Sequence, residues 1–539
     1  MDASDRWDAV AVGATFLVAA ATFIGLARVE LFPPDADPAY YTMVAQRVVL
    51  GLGWTSDAVW QFLGGAPSLP QPAFEFWMPG TTAALVPFVA LLGSRYASAA
   101  IAAAVFGAAA TSLVYVFARR LLGSKAPALA VAALFASSSR VMLHATSADS
   151  TIFATTWTLG SWLAFDSATR SAGRRAARWY ALAGVLVAAA ALTRSDSLPV
   201  LLISMGLAWV AARRWSLPQP RPAGAILAAS CIVLPLAAWS LRCGLAFGSA
   251  WNPAVGKVAF LTRYADLFAF PHAVTPSAWL SWALSHPGTV LSNKLRASWQ
   301  LLRWAADLVP LGALPVVLFG AAMLLIRKRP LAVLAAGHLA AAAVVYPLLA
   351  DSLVAGGSHR VVVPFCAFAM TAAVAAIPGV TGMAFRGPRQ AAGDRVAAWA
   401  CRLLAAGAWM LVAGVGMKAW AAPEGDLAQL DQLRAYHAIA NVMHDRGWDD
   451  RSALLSMQPI QTAYGTGHPA VMIPSNGFDA ACAAAARWNA SLVVLNGMYL
   501  DGDGYKHWKA VYEGKETAPG FVPVGRNGRW LLLEARCGP

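Results

Sequence analysis

The chain has 539 residues, of which 58% are hydrophobic and only 13% charged, with a formal net charge of +14 and a mean hydropathy of +0.54. A soluble chain carries about 25% charged residues, so a large soluble protein is excluded; the apolar residues run in blocks close to the ~20 residues that cross a bilayer. Nucleic acid is not the partner implied by the basic excess, which sits in short loops between those blocks: Arg119, Arg120 and Lys125; Arg170, Arg174, Arg175 and Arg178; Arg213, Arg214 and Arg221; Arg327, Lys328 and Arg329; Arg386, Arg389 and Arg395. Such loops are held on the cytoplasmic side by the positive-inside rule.

In chain order the blocks predict eleven spanning helices: Trp7–Val29, Tyr96–Ala118, Ala126–His144, Thr151–Phe165, Tyr180–Thr193, Leu198–Ala212, Ala223–Leu241, Leu308–Ile326, Leu331–Leu349, Val361–Met383 and Val396–Met417. The first reads as an uncleaved anchor, because Asp2, Asp5 and Asp8 surround Arg6 where a cleaved signal is basic. Gly80–Gly93 is apolar but too short to span and carries Pro87, so a re-entrant or interfacial helix is expected there. The alternation puts residues 30–79 and 242–296 in long external loops. The expected fold is an all-α polytopic membrane domain, residues 1–420, followed by a small external α/β domain, residues 421–539. In that tail, Leu427–Arg446 and Asp479–Trp488 suit helices, while Ser452–Ser456, Ala470–Ile473, Ser491–Asn496 and Trp530–Glu534 suit strands. It carries no nucleotide-binding signature. Cys482 and Cys537 both fall in the tail, where a disulfide between them is open; Cys231, Cys366 and Cys401 lie in apolar blocks and read as small hydrophobes.

The chemistry points to the first external loop. It holds Asp35, Asp37, Asp57 and Glu75 but a single basic residue, Arg47. Charge sorting explains few cations there; it does not require carboxylates, which at a membrane surface are candidate bases or metal ligands. The sharpest string is Asp37-Pro38-Ala39-Tyr40-Tyr41. On local chemistry Asp37 reads as a helix N-cap with Pro38 at the first helical position, a role compatible with facing a cavity. No Cys/His spacing suggests zinc, and His338, alone in an apolar span, reads as an interhelical hydrogen-bonding residue.

That string, with Ala45, Gly51, Gly53 and Trp54, resembles the stretch after the first span of GT-C glycosyltransferases, closest to the protein O-mannosyltransferase and lipid A aminoarabinose transferase superfamily. Phe76-Trp77-Met78-Pro79-Gly80 with Leu92-Gly93, Ala191-Leu192-Thr193-Arg194, His359-Arg360 before Pro364, and Tyr464-Gly465-Thr466-Gly467-His468-Pro469-Ala470-Val471 are similar to further motifs of that group, in order along the chain. The resemblance implies a bacterial inner-membrane enzyme that transfers a sugar from a polyprenyl-phosphate donor to a hydroxyl on a lipid, glycan or protein acceptor at the external face. It makes Asp37 the base and Asp149 a second acid lining the cavity. A departure at Pro38, where many members have Glu, puts a two-carboxylate or metal role in doubt, with Asp35 a substitute. A divalent metal is thus open and not required.

A lipid phosphate leaving group needs cations, which match its oxygens. Arg360, isolated on the external side, comes first, then Arg194 and His359; snorkelling to the interface is the competing role for the arginines. Tyr40, Glu75 and His144 are further cavity candidates, although His144 and Asp149 could instead pair with Arg140. Asp351 reads as loop punctuation. The rival classes are a lipid or oligosaccharide transporter, which the lack of an internal repeat disfavours, and a non-catalytic subunit of a cell-envelope assembly.

Overall fold

The computed structural model describes residues 3–65, 68–215, 222–272, 274–308, 313–327, 329–349, 358–384, 390–422, 427–449, 451–501 and 504–537. Arg221, Lys328, Asp351, Arg386 and Arg389 lie outside these residues.

The membrane part opens with α1 (Ala3–Ala27), α2 (Ala36–Val49), α3 (Gly80–Leu92), α4 (Tyr96–Leu122), α5 (Lys125–Ser137), α6 (Ser139–Thr146), α7 (Ser150–Thr169), α8 (Gly173–Thr193), α9 (Ser197–Arg214) and α10 (Pro222–Phe247). After the short helices α11 (Pro253–Val258) and α12 (Pro276–Ser285) come α13 (Pro287–Asp307), α14 (Leu314–Ile326), α15 (Pro330–Leu349), α16 (Ser358–Val361), α17 (Val363–Ala384) and α18 (Gln390–Ala421). The protein is a multi-pass membrane protein. Among the described residues seven helices are long and apolar enough to cross a bilayer, or eight if α5 and α6, bent by 62°, form one broken span.

Several of the eleven expected blocks are not single long apolar helices among the described residues. Block reading counts apolar length and cannot see that the backbone turns at Ser138, which divides Ala126–His144 into α5 and α6. The Thr151–Phe165 block becomes α7, whose serines, threonines and Asp166 are buried against protein on every side. α14 is described from Leu314 to Ile326 and α17 from Val363 to Ala384. α3 has 13 residues, too few to span.

Small side chains let the helices approach closely. α1 packs on α4 and α18, α7 on α8, and α9 on α15. A Cβ added at Gly107 would stand 2.6 Å from that of Ala145, so α6 rests on the backbone of α4. One added at Gly80 would stand 2.7 Å from the Leu192 carbonyl oxygen, which fixes the start of α3 against the end of α8. Two separate sequence motifs therefore touch.

The tail begins with α19 (Leu427–Asp445) and contains α20 (Pro459–Thr466), α21 (Phe478–Trp488) and α22 (Lys506–Tyr512). Two short strands of the first loop, β1 (Thr55–Ser56) and β3 (Gln71–Pro72), pair with each other. The strand between them, β2 (Ala58–Val59), joins β4 (Ala453–Ser456), β5 (Ala470–Met472), β6 (Ala490–Asn496), β7 (Phe521–Asn527) and β8 (Trp530–Ala535) in one sheet of order β2-β5-β4-β6-β8-β7. The β2, β5, β4 and β6 strands run parallel, while β8 and β7 add antiparallel at the far edge. The parallel strands are nearly all apolar and buried, as sheets covered on both faces require. Cys482 and Cys537 form a disulfide with Cα atoms 5.4 Å apart, tying α21 to the C-terminal end of the sheet.

Candidate active site

The start of α2 corrects the sequence expectation. Its N-cap is Asp35, not Asp37: the Asp35 side chain accepts the Asp37 backbone N–H at 3.0 Å. Pro38 fits in the first turn regardless, because no N–H there has an intrahelical partner. Asp37 is thereby released from local duty. Its Oδ1 accepts the Trp77 indole N–H at 2.8 Å, and its Oδ2 pairs with Nη1 of Arg360. The Asp37 side chain stays 20% exposed while Arg360 is 12% exposed, so the acid is the more open partner. Arg360 is not isolated, as its sequence position implied. Asp35 stands beside it, Oδ2 to Nη2 at 3.9 Å, and crowding by protein pushes the Asp35 carboxyl above its ordinary range, with Asp149 adding repulsion.

A second polar group lies alongside. Asp149 caps α7, Oδ1 accepting the Thr151 N–H at 2.7 Å, while its Oδ2 stands 2.6 Å from Nδ1 of His144. Burial would raise the Asp149 carboxyl, but His144 and the Thr151 amide outweigh it and hold it below the usual carboxylate range. The pairing with Arg140 is not made: that guanidinium lies over the Trp304 ring, 5.3 Å from its centroid. Trp304 packs on His359, and His359 stacks on His144 with ring centroids 6.1 Å apart. Burial, then repulsion from His144 and Arg194, pushes His359 down to about 4, so it is neutral at pH 7. Arg194 caps the end of α8 and is clamped by Asp196 at 2.6 Å and by the Tyr346 hydroxyl at 3.1 Å; it also reaches Ser150 Oγ at 3.3 Å. Asp37, Asp35, Arg360, His359, His144, Asp149 and Arg194 thus form one continuous polar cluster at the end of the helix bundle nearest the tail.

Three comparisons bear on this arrangement. Residues 78–239 match the profile of the family described as dolichyl-phosphate-mannose-protein mannosyltransferase. A search of curated proteins by sequence finds no match. Among solved structures, ArnT from Cupriavidus metallidurans bound to undecaprenyl phosphate is similar over 100% of both chains, with a TM-score of 0.56 at 14% identity. The oligosaccharyltransferase AglB from Archaeoglobus fulgidus, in complex with an inhibitory peptide and a dolichol-phosphate, is similar over 99% of this chain and 75% of its own, with a TM-score of 0.54 at 11% identity. The fold is that of the GT-C membrane glycosyltransferases.

Within this GT-C fold the remaining sequence candidates separate from the cluster. Tyr40 is a buttress: its buried hydroxyl accepts the Phe74 N–H at 2.6 Å and its ring stacks on Trp77 at 4.1 Å, which holds the indole that donates to Asp37. Glu75 is buried between the two long loops, accepting the Gln61 side-chain N–H at 2.7 Å, and burial pushes it up to about 7. His338 makes the expected interhelical hydrogen bond, its Nε2–H donating to the Val361 carbonyl at 3.0 Å. Sequence reasoning missed the roles of Trp77, Trp304, Asp196 and Tyr346. Trp77 lay inside a quoted motif and Asp196 two residues past Arg194, so both had a signal; Trp304 and Tyr346 had none. Among the described residues no three His, Cys, Asp or Glu side chains gather closely enough to hold a metal ion.

Proposed function

We propose that this GT-C-fold protein transfers a sugar from a polyprenyl-phosphate-linked donor to a hydroxyl acceptor at the external face of a bacterial inner membrane, with the tail domain external. The observation that carries the reading is the release of Asp37 from helix capping, since it leaves an ionisable acid partly open and aimed by two side-chain partners. The resemblance in motif order, the family match over residues 78–239 and the lipid phosphates named for ArnT and AglB support it.

In this reading Asp37 removes the acceptor's proton as the hydroxyl oxygen attacks the anomeric carbon. Attack opposite the departing phosphate inverts the configuration at that carbon. A positioned base of this kind contributes roughly 10²–10⁴-fold. Arg360 receives the phosphate, its five donors matching phosphate oxygens, and His359 and Arg194 flank it. The ion pair seen between Asp37 and Arg360 is then the donor-free arrangement: phosphate competes for the guanidinium, and the base is unmasked as donor binds. The test is transfer of radiolabelled sugar from polyprenyl-phosphate donors by the protein in nanodiscs with envelope extract as acceptor. Wild type should transfer and Asp37→Asn should lose at least 10²-fold; an Asp37→Asn protein with undiminished turnover would remove Asp37 as base, and movement of lipid without sugar transfer would favour a transporter.

A further inference from the structure

The His144–Asp149 pair has no part in the reading above, yet it is built more tightly than packing requires. Asp149 and the two residues that flank it are each tied down. Its Oδ1 takes the Thr151 N–H, its neighbour Ala148 donates its N–H to the Tyr96 hydroxyl at 3.3 Å, and Ser150 holds Arg194. A carboxylate only accepts, so the 2.6 Å contact places the proton on Nδ1 of His144. His144 is 2% exposed, and its other nitrogen, Nε2, has no hydrogen-bond partner among the described residues; nor has Nδ1 of His359 stacked beside it. Buried polar atoms are ordinarily paired. The two imidazoles, each with an unpaired nitrogen, stack with ring centroids 6.1 Å apart, and the 62° bend between α5 and α6 turns the helix that carries His144 towards His359 on α16.

We propose that His144, oriented by Asp149, donates from Nε2 to an oxygen of the lipid phosphate as it departs, His359 turning off the stack to admit it. The inference rests on the transferase reading. In that step the bond between the anomeric carbon and the phosphate oxygen breaks, and its electron pair stays on the phosphate. The acceptor oxygen bonds the same carbon and its proton goes to Asp37. The phosphate, a singly charged diester in the donor, leaves as a doubly charged monoester. In this step His144 presents two N–H groups, Nδ1–H to the Asp149 carboxylate and Nε2–H to the phosphate oxygen that gains the charge.

The experiment measures binding of undecaprenyl phosphate, and of undecaprenol as the phosphate-free control, to the full-length protein in nanodiscs. His144→Phe keeps an aromatic ring for the stack and removes both nitrogens; it should weaken undecaprenyl phosphate at least tenfold and leave undecaprenol unchanged. His144→Gln, which keeps a side-chain N–H, should return within threefold of wild type. Asp149→Asn provides a variant that spares the fold, since Asn caps helices as well as Asp does; it should weaken undecaprenyl phosphate severalfold. Unchanged phosphate binding in His144→Phe and Asp149→Asn, or equal losses in the Phe and Gln variants, would overturn the assignment while leaving the transferase reading intact. A wild type that binds undecaprenyl phosphate no better than undecaprenol would overturn the transferase reading and this inference with it.

Discussion

Replacing Asp37 by Asn should tighten the grip on polyprenyl phosphate while it stops turnover. Arg360 cannot serve Asp37 and a phosphate at once, so removing the carboxylate charge frees the guanidinium. Both side chains are less than a quarter exposed, which limits screening, and hydrogen bonds between charged groups contribute about 1.5–3 kcal/mol. Two features reduce the effect. The amide oxygen of Asn still accepts from Arg360, and Asp35 stands 3.9 Å away as a replacement partner. A gain of about 1–2 kcal/mol is left, or about 5- to 30-fold in Kd. The assay is titration of undecaprenyl phosphate into wild type and Asp37→Asn in nanodiscs at one fixed ionic strength. Weaker or equal binding by the variant would refute the competition between carboxylate and phosphate. Because Asn is close to Asp in volume and keeps an oxygen to accept from Trp77, the variant's melting temperature should stay close to wild type.

Other perturbations follow from the same contacts. Asp35→Ala removes the side chain that caps α2 and should cost about 1 kcal/mol of stability, read by thermal melts, whereas a loss of that size confined to Asp37→Ala would return the capping role to residue 37. Arg360→Ala should raise the donor KM at least tenfold with acceptor KM unchanged, measured by steady-state kinetics. Glu75, raised to about 7 by burial, binds its proton more tightly folded than unfolded. Its contribution to stability is therefore full below the unfolded pKa of about 4.5 and is lost as pH climbs to about 7, by about 3 kcal/mol at most. Glu75→Gln should abolish that slope in melts between pH 5 and 8. Cys482→Ser with Cys537→Ser opens a cross-link between residues 55 apart and should destabilise the tail by about 2–4 kcal/mol, seen as earlier proteolysis of the tail.

Much of this was legible in sequence because the signals were local. Apolar length located α1, α4, α8 and α10, and short buried runs located β4, β5, β6 and β8. β7 escaped since Phe521–Asn527 carries Pro523 and mostly exposed side chains, which a strand tolerates only at a sheet edge, where it lies. β2 is two residues long and exists only because β5 lies beside it. In the site, Asp37, Arg360, His144 and Asp149 were each named, but their pairings were not. The Asp37–Arg360 contact spans 323 residues of chain, and no local pattern reports it. The cap was misplaced by two positions because Asp35 and Asp37 both precede helix-compatible residues, and only backbone geometry separates them.

The strand β2 has a mechanical meaning. Ala470 donates its N–H to the Asp57 carbonyl at 2.9 Å, Arg47 on α2 pairs with Asp57, and Phe32 packs edge-on to Tyr464 at 5.6 Å. The helix that presents residue 37 is consequently lashed to the C-terminal sheet at several points. A molecule that leans on the tail pulls on the start of α2, and severing the chain near residue 420 would loosen Asp37 along with everything beyond the cut.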